Sequence, residues 1–227
     1  MRQKVVVIGL WGCSGREDGG ISGLCGHIRS TLEPLGVPGN HVFSMSWHPG
    51  RDHTNPSVAP DTDAHLEAIN ARTDTPSYVA IIGHGYGGWA ACTLSRALAR
   101  RPQYVALIDA VFSPGHGRIH PYGDFVQNWY QEVSVFEPEH CTEVGKCLCT
   151  DGLACGQRFD NAGVNNEQIR VVKDWNGRAE IVNCFGFRKP KLVWHVMMDS
   201  HQHLWRQIHA RIISDVASIP AANASAL

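Results

Sequence analysis

The sequence lacks any run of 18 or more apolar residues, so no transmembrane helix is predicted. Charge is scarce as well: charged residues make up 18% of the 227 residues, and the formal net charge is −1. Such a balance gives no reason to expect nucleic acid or an anionic membrane as a partner. Apolar residues nevertheless make up 43% of the chain, which is enough for a buried core. We therefore predict one soluble globular domain over residues 1–227, with its oligomeric state left open.

Internal repeats and low-complexity tracts are also absent. The first residues, MRQKVVVIGLWG, place basic residues ahead of an apolar run. That run is short, β-branched and followed by glycine, which favours a first strand over a signal peptide. No export signal is predicted from this segment.

Strand and helix patterns alternate through the first half of the chain. The predicted strands cover 4–10, 42–47, 78–83 and 104–109, and the predicted helices cover 24–35, 61–72 and 88–100. This alternation predicts an α/β fold, with a mostly parallel sheet flanked by helices in three layers.

The second half is less regular. Residues 113–178 are rich in Gly, His and Cys and poorly periodic, which predicts a long lid-like insertion. Further strands are predicted at 179–185 and 191–198. A last helix is predicted after them, because Leu204, Ile208, Ile212 and Val216 recur every four residues.

The segment YVAIIGHGYGGWAAC at 78–92 fits two kinds of site. Gly83, Gly85 and Gly88 have the G-x-G-x-x-G spacing of a dinucleotide-binding loop, and Asp109 follows where a ribose-binding acid is expected. Against this, two strand–helix pairs come first, and His84 and Tyr86 are bulky for a loop that must approach a pyrophosphate. The dinucleotide site is therefore kept as an alternative.

The other interpretation is a nucleophile elbow, G-x-S-x-G, in which a sharp turn after a strand carries the nucleophile. Gly83 and Gly87 supply the flanking glycines, but the serine is missing, because position 85 is glycine. Glycine adopts the strained backbone of such a turn with little cost, so the fold can survive without the hydroxyl.

Four segments resemble the lipase- and esterase-like α/β-hydrolase family. They are GHGYGG around Gly85, LIDAV around Asp109, NWYQ at 128–131 and DSHQHLWRQI from Asp199 to Ile208. The resemblance touches residues 4–10, 78–131 and 191–212, and does not extend across 132–178. It implies an α/β-hydrolase fold, a catalytic triad, an acyl, ester or lipid-like substrate and no cofactor.

The resemblance also implies roles for individual residues. Gly85 stands at the nucleophile position, Asp109 is the acid, and His201 is the base in the loop before the last helix. His203 and His195 are the rival histidines, of which His195 is less favoured because it is predicted to lie in the middle of a strand.

The oxyanion hole of such a site is built from backbone N–H groups. One is expected from Tyr86, the residue after the nucleophile position. The other is expected from the loop after the first strand, at Leu10 or Trp11.

Three hypotheses account for the missing hydroxyl. The chain is an inactivated variant of a serine hydrolase, or a non-catalytic binding module on a hydrolase frame. Alternatively, His201 and Asp109 act alone as a base in a lyase or a cofactor-free oxygenase. We slightly favour the first, because the residues around Gly85 are those of a serine elbow.

Four cysteines form a cluster with the spacing C-x5-C-x-C-x5-C; they are Cys141, Cys147, Cys149 and Cys155. Two disulfides that hold the insertion are the favoured interpretation, and they would leave export possible. A zinc site is less favoured, since zinc-binding pairs are usually C-x2–4-C. Four free thiols are the remaining alternative.

Overall fold

A computed structural model describes residues 2–12, 19–49, 58–113, 115–131, 156–184, 187–191, 193 and 195–220. The four clustered cysteines lie outside these ranges. Within them, Cys25 and Cys92 are buried free thiols, and no disulfide is found.

Six strands form one parallel sheet. They are β1 (Val5–Trp11), β2 (Val42–Ser46), β3 (Tyr78–His84), β4 (Tyr104–Ile108), β5 (Phe125–Tyr130) and β6 (Val164–Gln168). Their order across the sheet is β2-β1-β3-β4-β5-β6, and every neighbouring pair is parallel. The chain therefore has the predicted α/β fold.

The helices are α1 (Gly20–Leu32), α2 (Thr62–Asn70), α3 (Tyr86–Ala97), α4 (His195–Met198) and α5 (Gln202–Ser218). Strand β1 is buried on both faces, with Val5 and Val7 in one apolar cluster and Val6 and Ile8 in the other. Burial on both faces explains why its sequence is continuously apolar rather than alternating.

Each face of the sheet is covered by its own helices. The apolar residues of α1 and α5 belong to the first cluster, and those of α2 and α3 to the second. The four-residue repeat predicted for the last helix is confirmed: Leu204, Ile208, Ile212 and Val216 are fully buried. The Asp61 side chain caps α2 by accepting a hydrogen bond from the backbone N–H of Ala64 at 3.1 Å.

The segment 113–178, predicted to be irregular, supplies two strands of the main sheet. Strands β5 and β6 lack a clear apolar pattern in the sequence, because side-chain amides of the two strands pair with each other. Asn128 of β5 donates to the side-chain oxygen of Asn166 in β6 at 2.9 Å and to the carbonyl of Gln157 at 3.1 Å.

The chain between β6 and the last helix follows its prediction only in part, because the strand predicted at 179–185 is present over 181–184. Strands β7 (Ile181–Cys184) and β8 (Phe187–Pro190) form a separate antiparallel pair. Residues 195–198 are helical, so the predicted strand over 191–198 is wrong there. Pro190 ends β8 ahead of that segment. In the described part of the chain, no helix is long and apolar enough to cross a bilayer.

Candidate active site

The turn between β3 and α3 places Gly85 at the carboxyl edge of the sheet. Its φ of 59° and ψ of −125° are a conformation that residues with side chains rarely adopt. Hydrogen bonds hold this backbone: Gly85 N donates to the Ile108 carbonyl at 3.2 Å, and Val111 N donates to the Gly85 carbonyl at 3.0 Å. The turn is therefore built into the sheet between β3 and β4.

Two flanking glycines allow this turn to pack closely. A Cβ at Gly83 would overlap the carbonyl of Gly87, and a Cβ at Gly87 would overlap the carbonyl of Leu10. The glycine pattern thus serves the approach of α3 to the ends of β1 and β3.

Asp109 follows β4 directly and is fully buried, with a φ of 48°. Its Oδ1 accepts hydrogen bonds from Gln131 N at 3.0 Å and Gly156 N at 2.7 Å. Its Oδ2 accepts from Nδ1 of His195 at 2.6 Å. Oδ1 of this carboxylate is thus held by two backbone N–H groups, and Oδ2 orients one imidazole.

His195 is the first residue of α4, and its side chain is 28% exposed. Because Nδ1 donates to a carboxylate, Nε2 carries the lone pair in the neutral ring. That Nε2 lies 3.1 Å from the position where a Cβ on Gly85 would be. The structure thus brings together Gly85, Asp109 and His195.

His201 does not meet Asp109. It is 2% exposed, and its Nε2 lies 3.1 Å from the backbone N of Lys173 and 3.2 Å from the carbonyl of Val171. Burial lowers the pKa of this imidazole. His201 precedes α5 as predicted, but its ring faces the 171–173 segment, and His195 takes the place beside the acid.

The other rival histidine, His203, also lies apart from this pair, and two further acidic residues are engaged elsewhere. The ring of His203 lies beside Gly177, 3.0 Å from where a Cβ on that glycine would be. Asp124 forms an exposed ion pair with Arg101, while Oδ1 of Asp174 accepts hydrogen bonds within its own turn.

The predicted oxyanion residues lie at two neighbouring chain segments. Tyr86 begins α3, and the first N–H groups of a helix point out of its N-terminal end, where negative charge is stabilised. The segment after β1 lies against this end, because a Cβ on Gly12 would be 2.9 Å from Tyr86 N. Leu10 and Trp11 were expected in the loop after the first strand, but both lie in β1. Leu10 has partners in β2 and β3, whereas Trp11 pairs only with β2, and its N is close to Gly87.

Sequence analysis missed three residues that hold the pair. Gln131 bridges β5 to the segment before α4, because its side chain donates to the Val193 carbonyl at 2.7 Å. Gly156 donates to Asp109, and His84 contacts His195. His84 and Gln131 lie in the segments GHGYGG and NWYQ, but their roles follow only from tertiary contacts, and Gly156 lies in none of the quoted segments.

Gly156 provides a test of this packing. A Cβ at position 156 would lie 2.6 Å from Cα and Oδ1 of Asp109. We expect Gly156→Ala to lower the free energy of unfolding by about 1–3 kcal/mol, measured by urea denaturation. Gly115→Ala is the matched control, because no atom lies within 4 Å of its Cβ position. Equal stability of the two variants would contradict the close contact at Asp109.

Asp199 is a second carboxylate near His195. It follows α4 and lies against Gly20, the first residue of α1, where a Cβ would overlap its Oδ2. Burial raises the pKa of Asp199 to about 6, although a hydrogen bond from Ser200 and the proximity of His195 act in the opposite direction. The folded protein therefore keeps this proton at pH values where an unfolded chain releases it.

The raised pKa predicts a pH-dependent stability. Between about pH 4 and pH 6 the folded state binds more protons at Asp199, so its contribution to stability is present at low pH and lost as the pH rises. Going from pH 4.5 to 7.5, we expect Asp199→Asn to gain about 1–3 kcal/mol of unfolding free energy relative to the unsubstituted chain. Denaturant titrations at both pH values measure this, with Asp160→Asn as an exposed control. A pH-independent difference would contradict it.

The dinucleotide alternative needs a carboxylate that can accept a ribose hydroxyl. Asp109 is fully buried and already accepts three hydrogen bonds. The glycine-rich turn also leaves little room for a pyrophosphate at Gly87, because this glycine packs against the backbone of β1. The geometry therefore does not favour a nucleotide at this edge.

Among the described residues, no group of three or more His, Cys, Asp or Glu side chains is arranged to hold a metal ion. No known protein-family model matches the chain, and no curated protein sequence is significantly similar to it.

Proposed function

We propose that the chain has an α/β-hydrolase-type fold and an esterase- or lipase-like site whose nucleophile position is Gly85. The observation that carries the proposal is the contact of 2.6 Å between His195 Nδ1 and Asp109 Oδ2, with Nε2 facing Gly85. Position 85, the acid at 109 and the histidine at 195 follow the chain order nucleophile, acid, histidine of that fold.

The position of the site in the sheet also supports the proposal. In open parallel sheets, ligands bind beyond the carboxyl ends of strands where the strand order reverses. Here the reversal lies between β1 and β3, and the turn at Gly85 follows β3. A substrate acyl group placed there would have its carbonyl oxygen near the Tyr86 N–H and its carbon near His195.

In a chain without the hydroxyl, His195 would act on a bound water. Nε2 would take a proton from the water as the oxygen attacks the acyl carbon, Asp109 would stabilise the imidazolium, and backbone N–H groups would stabilise the oxyanion. The proton would then pass to the leaving group. No acyl-enzyme would form.

A phosphonate ester tests whether the elbow still presents position 85 to an electrophile. Gly85→Ser should release one equivalent of p-nitrophenol from a p-nitrophenyl alkylphosphonate, with the mass increase located at residue 85. Gly85→Ala, which adds the same Cβ without a hydroxyl, should remain unlabelled. The labelling should be strongly slowed by His195→Gln in the Gly85→Ser background. A folded Gly85→Ser protein that is never labelled would contradict the proposal.

A second function is favoured by one observation, the distance of 3.1 Å from Nε2 to the Cβ position of Gly85. The imidazole comes closer to this position than ordinary van der Waals contact with a Cβ allows, so it can reach a ligand directly. His195 could then remove a proton from a carbon next to a carbonyl, as in a lyase or a cofactor-free oxygenase. His195-dependent exchange of such a proton in D2O, without ester hydrolysis, would favour this second function.

A further inference from the structure

Two histidines are stacked at the centre of the site. The rings of His84 and His195 have centroids 4.6 Å apart and are inclined by 27°. His84 is the last residue of β3, next to Gly85, and it is almost completely buried. Its Nε2 lies 2.9 Å from the backbone carbonyl oxygen of His195.

The hydrogen bond fixes the tautomer of His84. Because a carbonyl oxygen only accepts, Nε2 of His84 must carry the hydrogen and donate it. Burial, followed by the proximity of His195, lowers the pKa of His84 to about 3. His84 therefore stays neutral at physiological pH, with its donor committed to one backbone atom, and it is not itself available as the base.

His195 is surrounded by titratable groups from three parts of the fold. The titratable groups that face His195 are Asp109 from the end of β4, His84 from β3 and Asp199 from the turn after α4. Asp109 binds one edge of the imidazole, whereas His84 covers a face and holds the backbone from which the side chain extends. Two contacts from adjacent strands therefore determine where Nε2 points.

We propose that His84 is a positioning residue, which holds the first residue of α4 by a hydrogen bond to its carbonyl and thereby aims Nε2 of His195 at position 85. A helix of four residues has little stability of its own, so an external contact at its first residue is needed to fix the ring. This inference rests on the proposed role of His195 as the base, but the spectroscopic test below does not depend on turnover.

The test compares substitutions that keep or remove the donor. His84→Gln keeps an N–H donor at a similar distance from the backbone, His84→Phe keeps a flat ring without a donor, and His84→Leu removes both. His65→Phe is the matched control. His65 is also fully buried and neutral, and its Nε2 donates to a backbone carbonyl, that of Ser46, at 2.9 Å.

The readout is the proton NMR resonance of the His195 Nδ1–H that is bound to Asp109, assigned by its loss in His195→Gln. We expect a downfield, slowly exchanging signal in the unsubstituted chain, in His84→Gln and in His65→Phe. In His84→Phe and His84→Leu the signal should be lost or move strongly upfield. His84→Leu supplies the comparison if phenylalanine is too large for the buried site.

A kinetic readout adds to the NMR result in the Gly85→Ser background. His84→Phe should lower kcat for p-nitrophenyl esters by about 10- to 100-fold and change KM much less, because misdirection of the base affects the chemical step. The inference is overturned if the signal persists in both His84→Phe and His84→Leu. It is also overturned if His84→Gln loses the signal, or if His65→Phe does so equally. An inactive Gly85→Ser protein with the expected NMR pattern would reject the proposed function alone.

Discussion

Gly85→Ser is expected to raise kcat/KM for p-nitrophenyl butyrate by at least about 100-fold over the unsubstituted chain. The proposed function assigns the base to His195 and the acid to Asp109, which are in contact beside the turn at Gly85, and it lacks only an attacking oxygen at that position. The new Cβ would lie 3.1 Å from Nε2 of His195, so the imidazole must move by a few tenths of an ångström. A burst of p-nitrophenol followed by slower turnover would identify an acyl-enzyme intermediate.

Stability and activity should change in opposite directions at this position. A residue with a side chain at a φ of 59° carries a strain of about 1–3 kcal/mol, so the Tm of Gly85→Ser should fall. Gly85→Ala is the control, because it carries the same strain without the hydroxyl and should lose stability without gaining activity. Hydrolysis by Gly85→Ala at the rate of Gly85→Ser would reject a nucleophilic role for the installed serine.

In the Gly85→Ser background, Asp109→Asn is expected to lower kcat by about 10³- to 10⁴-fold. The amide oxygen of asparagine can accept the two backbone N–H groups that now bind Oδ1, which directs its NH2 group at His195. Nδ1 of His195 must then become the acceptor, and the hydrogen moves to Nε2. The ring would remain in place, but the nitrogen that faces position 85 would carry a hydrogen and could no longer act as a base.

The fold should tolerate this change. Asparagine is one of the few residues with a side chain that adopts a positive φ readily, and residue 109 has a φ of 48°. We therefore expect circular dichroism of Asp109→Asn to match that of the parent, with Asp124→Asn as an exposed control whose side chain is 54% exposed. Full activity of Asp109→Asn in the Gly85→Ser background would show that the acid does not set the tautomer of His195.

The first four strands and the turn at Gly85 could be predicted because their signals are local. The burial of β1 on both faces and the glycine spacing around Gly85 are each set within a few residues, and so is the place of Asp109 after β4. The regular last helix was accessible for the same reason, since its apolar residues repeat along one face.

The histidine could not be chosen from local pattern. His195 lies among apolar residues, which is typical of a strand, whereas the structure has a single helical turn there. A four-residue helix is too short to show periodicity. Its position depends on a contact from His84 and on the hydrogen bond from Gln131 to Val193, just before the helix, and both partners are far away in sequence. A possible signal was the shortness of the apolar run after His195, which ends at Asp199.

The predicted insertion at 113–178 is too long, because two of its segments are strands of the main sheet that local pattern does not reveal. Strands β5 and β6 hold each other through side-chain amides, such as the pair of Asn128 and Asn166, and apolar periodicity does not detect such pairs. Only their pairing in the sheet identifies them as strands.

The carboxylate of Asp109 also has a consequence for folding. Its three hydrogen-bond partners are 22, 47 and 86 residues away along the chain. Closing loops of that length costs conformational entropy before the hydrogen bonds can stabilise the chain. These bonds are therefore expected to form late in folding. The contact between Asp109 and His195 should therefore form only when folding is complete. In refolding experiments, the downfield proton signal of His195 should appear only after β4, β5 and the residues around Gly156 have assembled.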